Sequence, residues 1–333
     1  MNVEIRKTST KDMSREDWLT ERKKGIGGSD AAAVCGLSAY STPFTVWLDK
    51  TGRSEDAPDN ERMRQGRDLE AYVADRFCEI SGKKVKRCNA ILCNPKYPWA
   101  IADVDRLVIG EKAGLECKTA SSLNVKRYKD GEFPVNYYVQ CCHYMAVTGL
   151  DTWYLCVVIL GSGIRNYILT RRPLDIVPEW VDGVVTVGDD EINALMATER
   201  DFWQLVENDT PPAPDGEKPT ADGINNVMYP TADAGEEITL TGYGEKLNQY
   251  LTLDENIKML TKERDAIKQE IQMQMATAET AYIEDSTVTW RNQQRTTFDS
   301  KAFTQDHPDI DFTPYYKTSV SRVFKVKTPK TDQ

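Results

Sequence analysis

Charged side chains set inside an apolar strand pair are the strongest constraint on this chain. Strand-forming aliphatic residues fill positions 101–109 and, after a turn bracketed by Gly110 and Gly114, positions 115–119, yet the same runs contain Asp103, Asp105, Glu116 and Lys118. Side chains alternate along a strand, so Glu116 and Lys118 share a face. A turn centred near Lys112 would pair position 107 with 116 and 105 with 118, placing Asp105 across from them. Burying two carboxylates and an ammonium in such a hairpin is strongly unfavourable unless something compensates. A bound divalent cation is one compensation, with the Cys117 carbonyl as a further oxygen ligand. A solvated ion pair on an edge strand is the other reading of Glu116 and Lys118.

Glu70 supplies a further carboxylate. Across residues 66–77 helical spacing aligns Gly66, Glu70, Val73 and Phe77 on one face. A carboxylate on a packing face needs a partner, and a metal held at the sheet would provide one. Histidine is too scarce to build the site, since the 333 residues include only His143 and His307. Carboxylate ligands favour Mg²⁺, Mn²⁺ or Ca²⁺. The eight cysteines lie between Cys35 and Cys156 and form no C-x-x-C pair. They read as reduced, mostly buried thiols, and their spacings give no support to an iron–sulfur cluster.

Around the hairpin, helix-like and strand-like segments alternate from about residue 15 to residue 205. Helices are predicted at 16–24, from Ser29, at 60–81 and at 137–148. Strands are predicted at 85–92, 99–109, 115–119, 152–160 and 164–169. This order predicts an α/β (α+β) domain over 1–205 with one central sheet. Residues 206–240, with Pro211, Pro212, Pro214 and Pro219 among acidic side chains, read as a linker or arm. Within 241–333, Leu253, Ile257, Leu260, Arg264, Ile267 and Ile271 have heptad spacing. They predict a long helix packing on its own domain or on a hairpin partner, in preference to an intermolecular coiled coil. Strand character returns at 281–290 and 319–326. No apolar run approaches the roughly 18 residues of a membrane span, and no signal-peptide core is evident, so a cytoplasmic protein without a membrane partner is expected.

Five ordered motifs resemble a known family. They are Trp18-x-x-x-Arg22-x-x-Gly25-Ile26-Gly27-Gly28-Ser29, Gly66 with Glu70, Asp105, Glu116-x-Lys118, and Tyr137-x-x-Gln140-x-x-His143-Tyr144. Together they look like the PD-(D/E)XK nuclease core and, more narrowly, its YqaJ-type viral recombinase branch, which includes the exonuclease of phage lambda. The likeness spans about residues 14–205. It departs at the motif's proline position, which is Val104 here, and Asp103 is a second candidate beside Asp105. Asp105, followed by Leu107 and the hairpin, matches the pattern better.

The resemblance implies a restriction-endonuclease-like core, a central mixed sheet flanked by helices, with a C-terminal helical and β extension. It implies a Mg²⁺-dependent exonuclease digesting linear double-stranded DNA 5′→3′ and leaving 3′ overhangs for phage-type recombination by strand annealing. Asp105, Glu116, Glu70 and the Cys117 carbonyl would hold Mg²⁺, with two ions expected and Mn²⁺ able to substitute. Lys118 would orient or deprotonate the attacking water. Gln140, on the helical face of Tyr137 and Tyr144, would bond that water or a backbone phosphate, or else serve as an amide supporting the sheet. Arg22 and Ser29, at a helix N-terminus, would take the 5′-terminal phosphate, the alternative being an ordinary serine N-cap beside a surface arginine. A ring-like homotrimer, a single-strand annealing partner and a phage or prophage gene in a bacterial host are further implications. The rival readings are an endonuclease or CRISPR-adaptation-type nuclease of the same superfamily, and a non-catalytic DNA-binding or assembly subunit.

A formal charge of −10 does not oppose a DNA partner, because the acidity is local. Between Asp175 and Leu240 there are 16 acidic and 2 basic residues, a charge of −14, which leaves +4 on the remainder. The clusters Lys23-Lys24, Lys83-Lys84 with Lys86-Arg87, and Lys126-Arg127 with Lys129 are available to phosphates, the alternative being solvated faces. The heptad helix with the basic end of Lys317, Arg322, Lys325, Lys327 and Lys330 reads as an extension for clamping DNA, oligomerisation or partner docking.

Overall fold

A computed structural model describes residues 4–55 and 59–328 of the chain, so Lys330 lies outside the described residues. Two compact units are present, the first ending at Pro230 and the second starting at Thr231. The described residues of the first unit run β1 (Arg6–Ser9), α1 (Arg15–Arg22), α2 (Gly28–Val34), α3 (Pro43–Lys50), α4 (Glu61–Ser81), β2 (Val85–Arg87), β3 (Ala90–Cys93), β4 (Ile101–Asp103), β5 (Arg106–Val108), β6 (Ala113–Ser121), α5 (Val135–Thr148), β7 (Thr152–Leu160), β8 (Gly163–Thr170), β9 (Gly183–Thr186), α6 (Asp189–Glu207) and α7 (Lys218–Gly223).

Six strands form one mixed sheet in the order β2-β5-β6-β7-β8-β9, with β6–β7 and β8–β9 parallel and the other pairs antiparallel. The parallel step from β6 to β7 needs a crossover, which α5 provides. Alternation along β7 shows why both faces are covered. Trp153, Leu155, Val157 and Ile159 pack with α5, whereas Tyr154, Cys156 and Val158 pack with Val73 and Phe77 of α4. Helices therefore flank a central mixed sheet, as the sequence predicts. The α4 helix is capped at both ends, by the Asn60 side chain accepting from the Met63 N–H at 3.0 Å and by Gly82 in the left-handed conformation. A third layer of apolar contacts joins α2, α3 and α6 through Ala33, Phe44, Trp47 and Phe202.

Two predicted strands are broken. Residues 85–92 divide into β2 and β3 at Asn89, whose φ of 50° lies in the left-handed region. Residues 99–109 divide into β4 and β5 at Val104-Asp105. In each case the chain changes sheets, because β3 pairs with both β1 and β4 in a separate three-stranded antiparallel sheet. The hairpin register also differs from the expected one. Arg106 pairs with Leu115 and Leu107 with Gly114, so the turn centres next to Gly110, whose φ is 85°. The shift is two residues, one full strand period, and the facing of every side chain survives it.

The compact unit also reaches further than the expected boundary at 205. Part of the predicted linker is packed: Thr220 of α7 is buried and shares a hydroxyl hydrogen bond of 2.8 Å with Thr42, and Gly223 lies against Leu48 and Phe44. In the second unit the described residues form α8 (Gly244–Met275), the hairpin β10 (Thr280–Ile283) and β11 (Ser286–Thr289), and α9 (Ser300–Asp306). The long helix matches prediction, but Leu253, Ile257, Leu260 and Ile267 are each more than half exposed. Among the described residues of the second unit, the expected cover over that seam is not made. Residues 319–326 pair with no strand among the described residues and are irregular.

Gly114 shows how tightly the sheet is filled beside the site. A Cβ there would fall 2.4 Å from the fully buried ring of Trp153 on β7. Gly114→Ala is expected to cost about 1–3 kcal/mol, as overpacked cores do, measured as a lowered unfolding midpoint in denaturant.

Candidate active site

The break between β4 and β5 builds the site. Freed from a continuous strand, Asp105 turns its carboxylate toward β6 and accepts the Cys117 backbone N–H at 2.8 Å. Glu116 lies beside it, only 2% exposed. One Glu116 oxygen, Oε1, accepts from the Gln140 amide at 2.7 Å and pairs with Lys118 Nζ at 2.5 Å. The other, Oε2, is buried without a hydrogen-bond donor. Burial pushes Asp105 well above the usual carboxylate range, with the Glu116 charge adding to it and Lys118 opposing. Burial likewise raises Glu116 against the pull of Lys118. For Lys118 burial alone would favour the neutral amine, but Glu116 and Asp105 outweigh it and keep the ammonium charged. The ammonium also sits over the Tyr137 ring, 5.2 Å from its centroid.

The helix α5 holds this cluster in place. Gln140 is buried, and its amide donates both to Glu116 and to the Tyr144 hydroxyl, the latter at 2.9 Å. The Tyr144 hydroxyl in turn donates to the Asp103 carbonyl at 3.1 Å. Both amide protons are thus engaged within the protein, so the supporting role is the one the geometry displays. Asp103 does not share a strand with Asp105. It ends β4, and its carboxylate accepts from the Trp18 indole N–H at 2.8 Å.

Arg22 and Ser29 come together as predicted, with an Arg22 guanidinium nitrogen donating to Ser29 Oγ at 2.9 Å. Ser29 is not the helix cap, a position taken by Gly27. The segment before α2 is held beside β4 by reciprocal bonds between Ile26 and the 99–101 backbone. Gly28 allows α2 to approach α5, since a Cβ there would lie 2.6 Å from the Tyr144 ring. As a result Arg22, Ser29, Asp105, Glu116, Lys118 and Gln140 line a single cleft. The buried ammonium of Lys50 bonds the Asp30 carboxylate at 2.7 Å, and Asp30 also lies 3.9 Å from Arg22. Burial works against the Asp30 charge, but Lys50 and Arg22 outweigh it and hold its carboxyl below the usual range.

Glu70 is placed differently from the expectation. Its partner is the guanidinium of Arg106, a buried side chain that also donates to the Asp105 carbonyl at 2.7 Å. Sequence reasoning missed Arg106, although the signal existed: strand alternation sends it to the face that α4 covers, the same face as Glu70. Among the described residues no group of three or more His, Cys, Asp or Glu side chains is arranged to hold a metal ion. What remains is the facing pair of Asp105 and Glu116. A cation fits that pair, because it would satisfy the orphaned Glu116 oxygen and offset two buried negative charges. All eight cysteines are free thiols, four of them buried, with no cluster-forming arrangement among the described residues.

A second unpredicted feature lies behind α5. His143 and Glu199 are both fully buried and 2.8 Å apart, and the other His143 nitrogen meets the Ile101 carbonyl at 2.8 Å. This pair ties α5 and α6 to β4.

The fold and site define a mixed α/β protein whose chemistry is concentrated in a carboxylate–lysine centre at a strand break. Residues 17–151 match the YqaJ-like viral recombinase domain. Over 307 residues the chain is 35% identical to the uncharacterized protein YqaJ of Bacillus subtilis (strain 168), covering 90% of each chain. The chain belongs to the YqaJ family. Among solved structures, the alkaline exonuclease LHK-Exo of Laribacter hongkongensis aligns at 17% identity with a TM-score of 0.46, covering 58% of this chain and 93% of that one. A phage-related exonuclease from Haemophilus somnus 129PT aligns at 13% identity with a TM-score of 0.36, covering 58% and 100%. No helix among the described residues is long and apolar enough to cross a membrane.

The His143–Glu199 pair makes a pH-dependent contribution. Burial opposes the imidazolium, but the Glu199 charge outweighs it and raises His143, while burial raises Glu199 despite His143. Both groups bind protons more tightly folded than unfolded, so their contribution falls as pH rises, from about 4.3 to above about 6.5. Unfolding free energy measured against pH should therefore slope downward less steeply in a His143→Gln, Glu199→Gln double variant. Glu199→Leu alone, which strands the histidine, is expected to cost about 3–5 kcal/mol.

Proposed function

We propose that this chain is a metal-dependent deoxyribonuclease, an exonuclease that digests linear double-stranded DNA from the 5′ end and leaves 3′ single strands for recombination by annealing. The observation that carries the reading is the convergence of Asp105, Glu116 and Lys118 with Arg22 and Ser29 in one cleft. Membership of a family described by a viral recombinase domain supports a recombination substrate.

The donor set is all oxygen, which suits Mg²⁺ with Mn²⁺ as a substitute, held by Asp105 and Glu116 with the Cys117 carbonyl as a further ligand. Such an ion would polarise the scissile phosphate and lower the pKa of its attacking water. Lys118, paired with Glu116, orients or deprotonates the attacking water and neutralises charge on the phosphate oxygens. Gln140 fixes the Glu116 carboxylate in one orientation. Tyr137 and Tyr144 keep Lys118 and Gln140 from swinging out of the cleft. Arg22 and Ser29 bind the terminal phosphate, which sets which end of the duplex is digested. A homo-oligomer, ring-like as the resemblance implies, and an annealing-protein partner complete the proposal.

Digestion of end-labelled linear duplex in the presence of Mg²⁺ tests the activity, and closed-circular DNA should resist it. Lys118→Ala is expected to lower cleavage by about a hundred- to a thousandfold while duplex binding in a gel-shift assay persists; full cleavage by that variant removes Lys118 from the mechanism. Duplexes with a 5′-phosphate should be digested faster than 5′-hydroxyl duplexes, and Arg22→Ala should erase the difference. Equal rates in the unmodified protein would refute the terminal-phosphate pocket.

A further inference from the structure

We propose that Arg106 limits the centre to a single divalent cation, bound by Asp105 and Glu116, with Glu70 serving as the counter-ion of Arg106 and not as a metal ligand. This inference rests on the nuclease reading of the cleft and concerns how many ions that cleft takes.

The two faces of the sheet carry different groups. Glu116 and Lys118 project from β6 toward α5, where Gln140 meets them. Arg106 pairs across β5–β6 with Leu115, and both belong to the opposite face, where Val73 and Phe77 of α4 pack. Glu70 comes from the same helix and meets Arg106 there. It lines a neighbouring cavity that shares Asp105, Glu116 and Lys118 with the cleft, but its charge is already matched.

Energetics then oppose a second ion. To ligate a metal, Glu70 would have to leave a guanidinium that is only 5% exposed. That would strand a buried cation, and breaking such a pair is strongly unfavourable. The guanidinium is anchored at a second point by the Asp105 carbonyl, so it does not move aside with Glu70. An incoming second ion would also face Arg106 at close range across a poorly screened site. Charge counting agrees. Glu70, Asp105 and Glu116 carry three negative charges against two positive charges on Lys118 and Arg106. One divalent ion leaves a single positive charge to meet one phosphate, and two would leave an excess of three. Arg106 thus occupies the electrostatic place of a second cation.

Mn²⁺ binding to the full chain, followed by electron paramagnetic resonance alone and with a cleavage-resistant phosphorothioate duplex, tests this directly. The expected result is one bound ion per chain with no spin coupling, both with and without DNA. Two ions per chain, or a coupled pair, would overturn the inference while leaving the nuclease reading intact. Absence of any bound Mn²⁺ would overturn both. Glu70→Gln should change the Mn²⁺ dissociation constant by less than about tenfold, whereas Asp105→Asn should abolish binding; a loss of about tenfold or more in Glu70→Gln would make Glu70 a ligand and sink the proposal. Arg106→Met should admit a second ion, and retention of a single ion in a folded variant would count against Arg106 as the barrier. Should that variant fail to fold, the Glu70→Gln arm decides.

Discussion

The Glu116 carboxylate is the point on which the rest of the site depends. It is almost fully buried, negatively charged neighbours lie beside it, and one of its oxygens has no donor. A group in that position persists only if its surroundings are fixed in detail. Lys118 neutralises it from the same strand, and Gln140 fixes its orientation from the helix above. Asp105 approaches from a strand that stops short to allow it. The unfavourable electrostatics of this cluster are what make it a credible cation site, since an apolar replacement would be more stable and chemically inert.

The helix α5 links that local chemistry to the whole first unit. One turn of it reaches Glu116 through Gln140, the next reaches the β4 backbone through Tyr144, and His143 between them fastens the helix to α6. Gly28 permits α2 to press against the Tyr144 ring, which brings Arg22 and Ser29 to the same opening as Lys118. The cleft is therefore assembled from α1, α2, α5 and two sheets at once. A displacement of any of these elements would separate the terminal-phosphate candidates from the carboxylates.

Much of this was legible in the sequence because it depends on local periodicity. The 3.6-residue spacing of Glu70, Val73 and Phe77 and the two-residue alternation of Glu116 and Lys118 survive in the structure, the latter even though the hairpin register differed by two positions. The broken strands were less legible. Nothing in the apolar run from 99 to 109 marks Val104-Asp105 as the place where the chain leaves one sheet for another, since the break is imposed by pairing with β3 on one side and with β2 and β6 on the other. The exposed heptad seam of α8 shows the opposite situation: the pattern was clear, but a pattern does not say what covers it.

By itself the sequence determined which chemical groups are present and which face of which element carries them, because backbone geometry repeats every 2 or 3.6 residues whatever lies around it. It established a carboxylate–lysine hairpin, a helix bearing Glu70, an Arg22–Ser29 pair and a second helix bearing Gln140. Only the tertiary structure decided what those groups touch. Glu70 meets Arg106 across 36 positions of chain, and Gln140 meets Glu116 across 24. Such contacts follow from how helices stack on a twisted sheet and where its strands end, which are properties of the packed whole and not of any local stretch of residues.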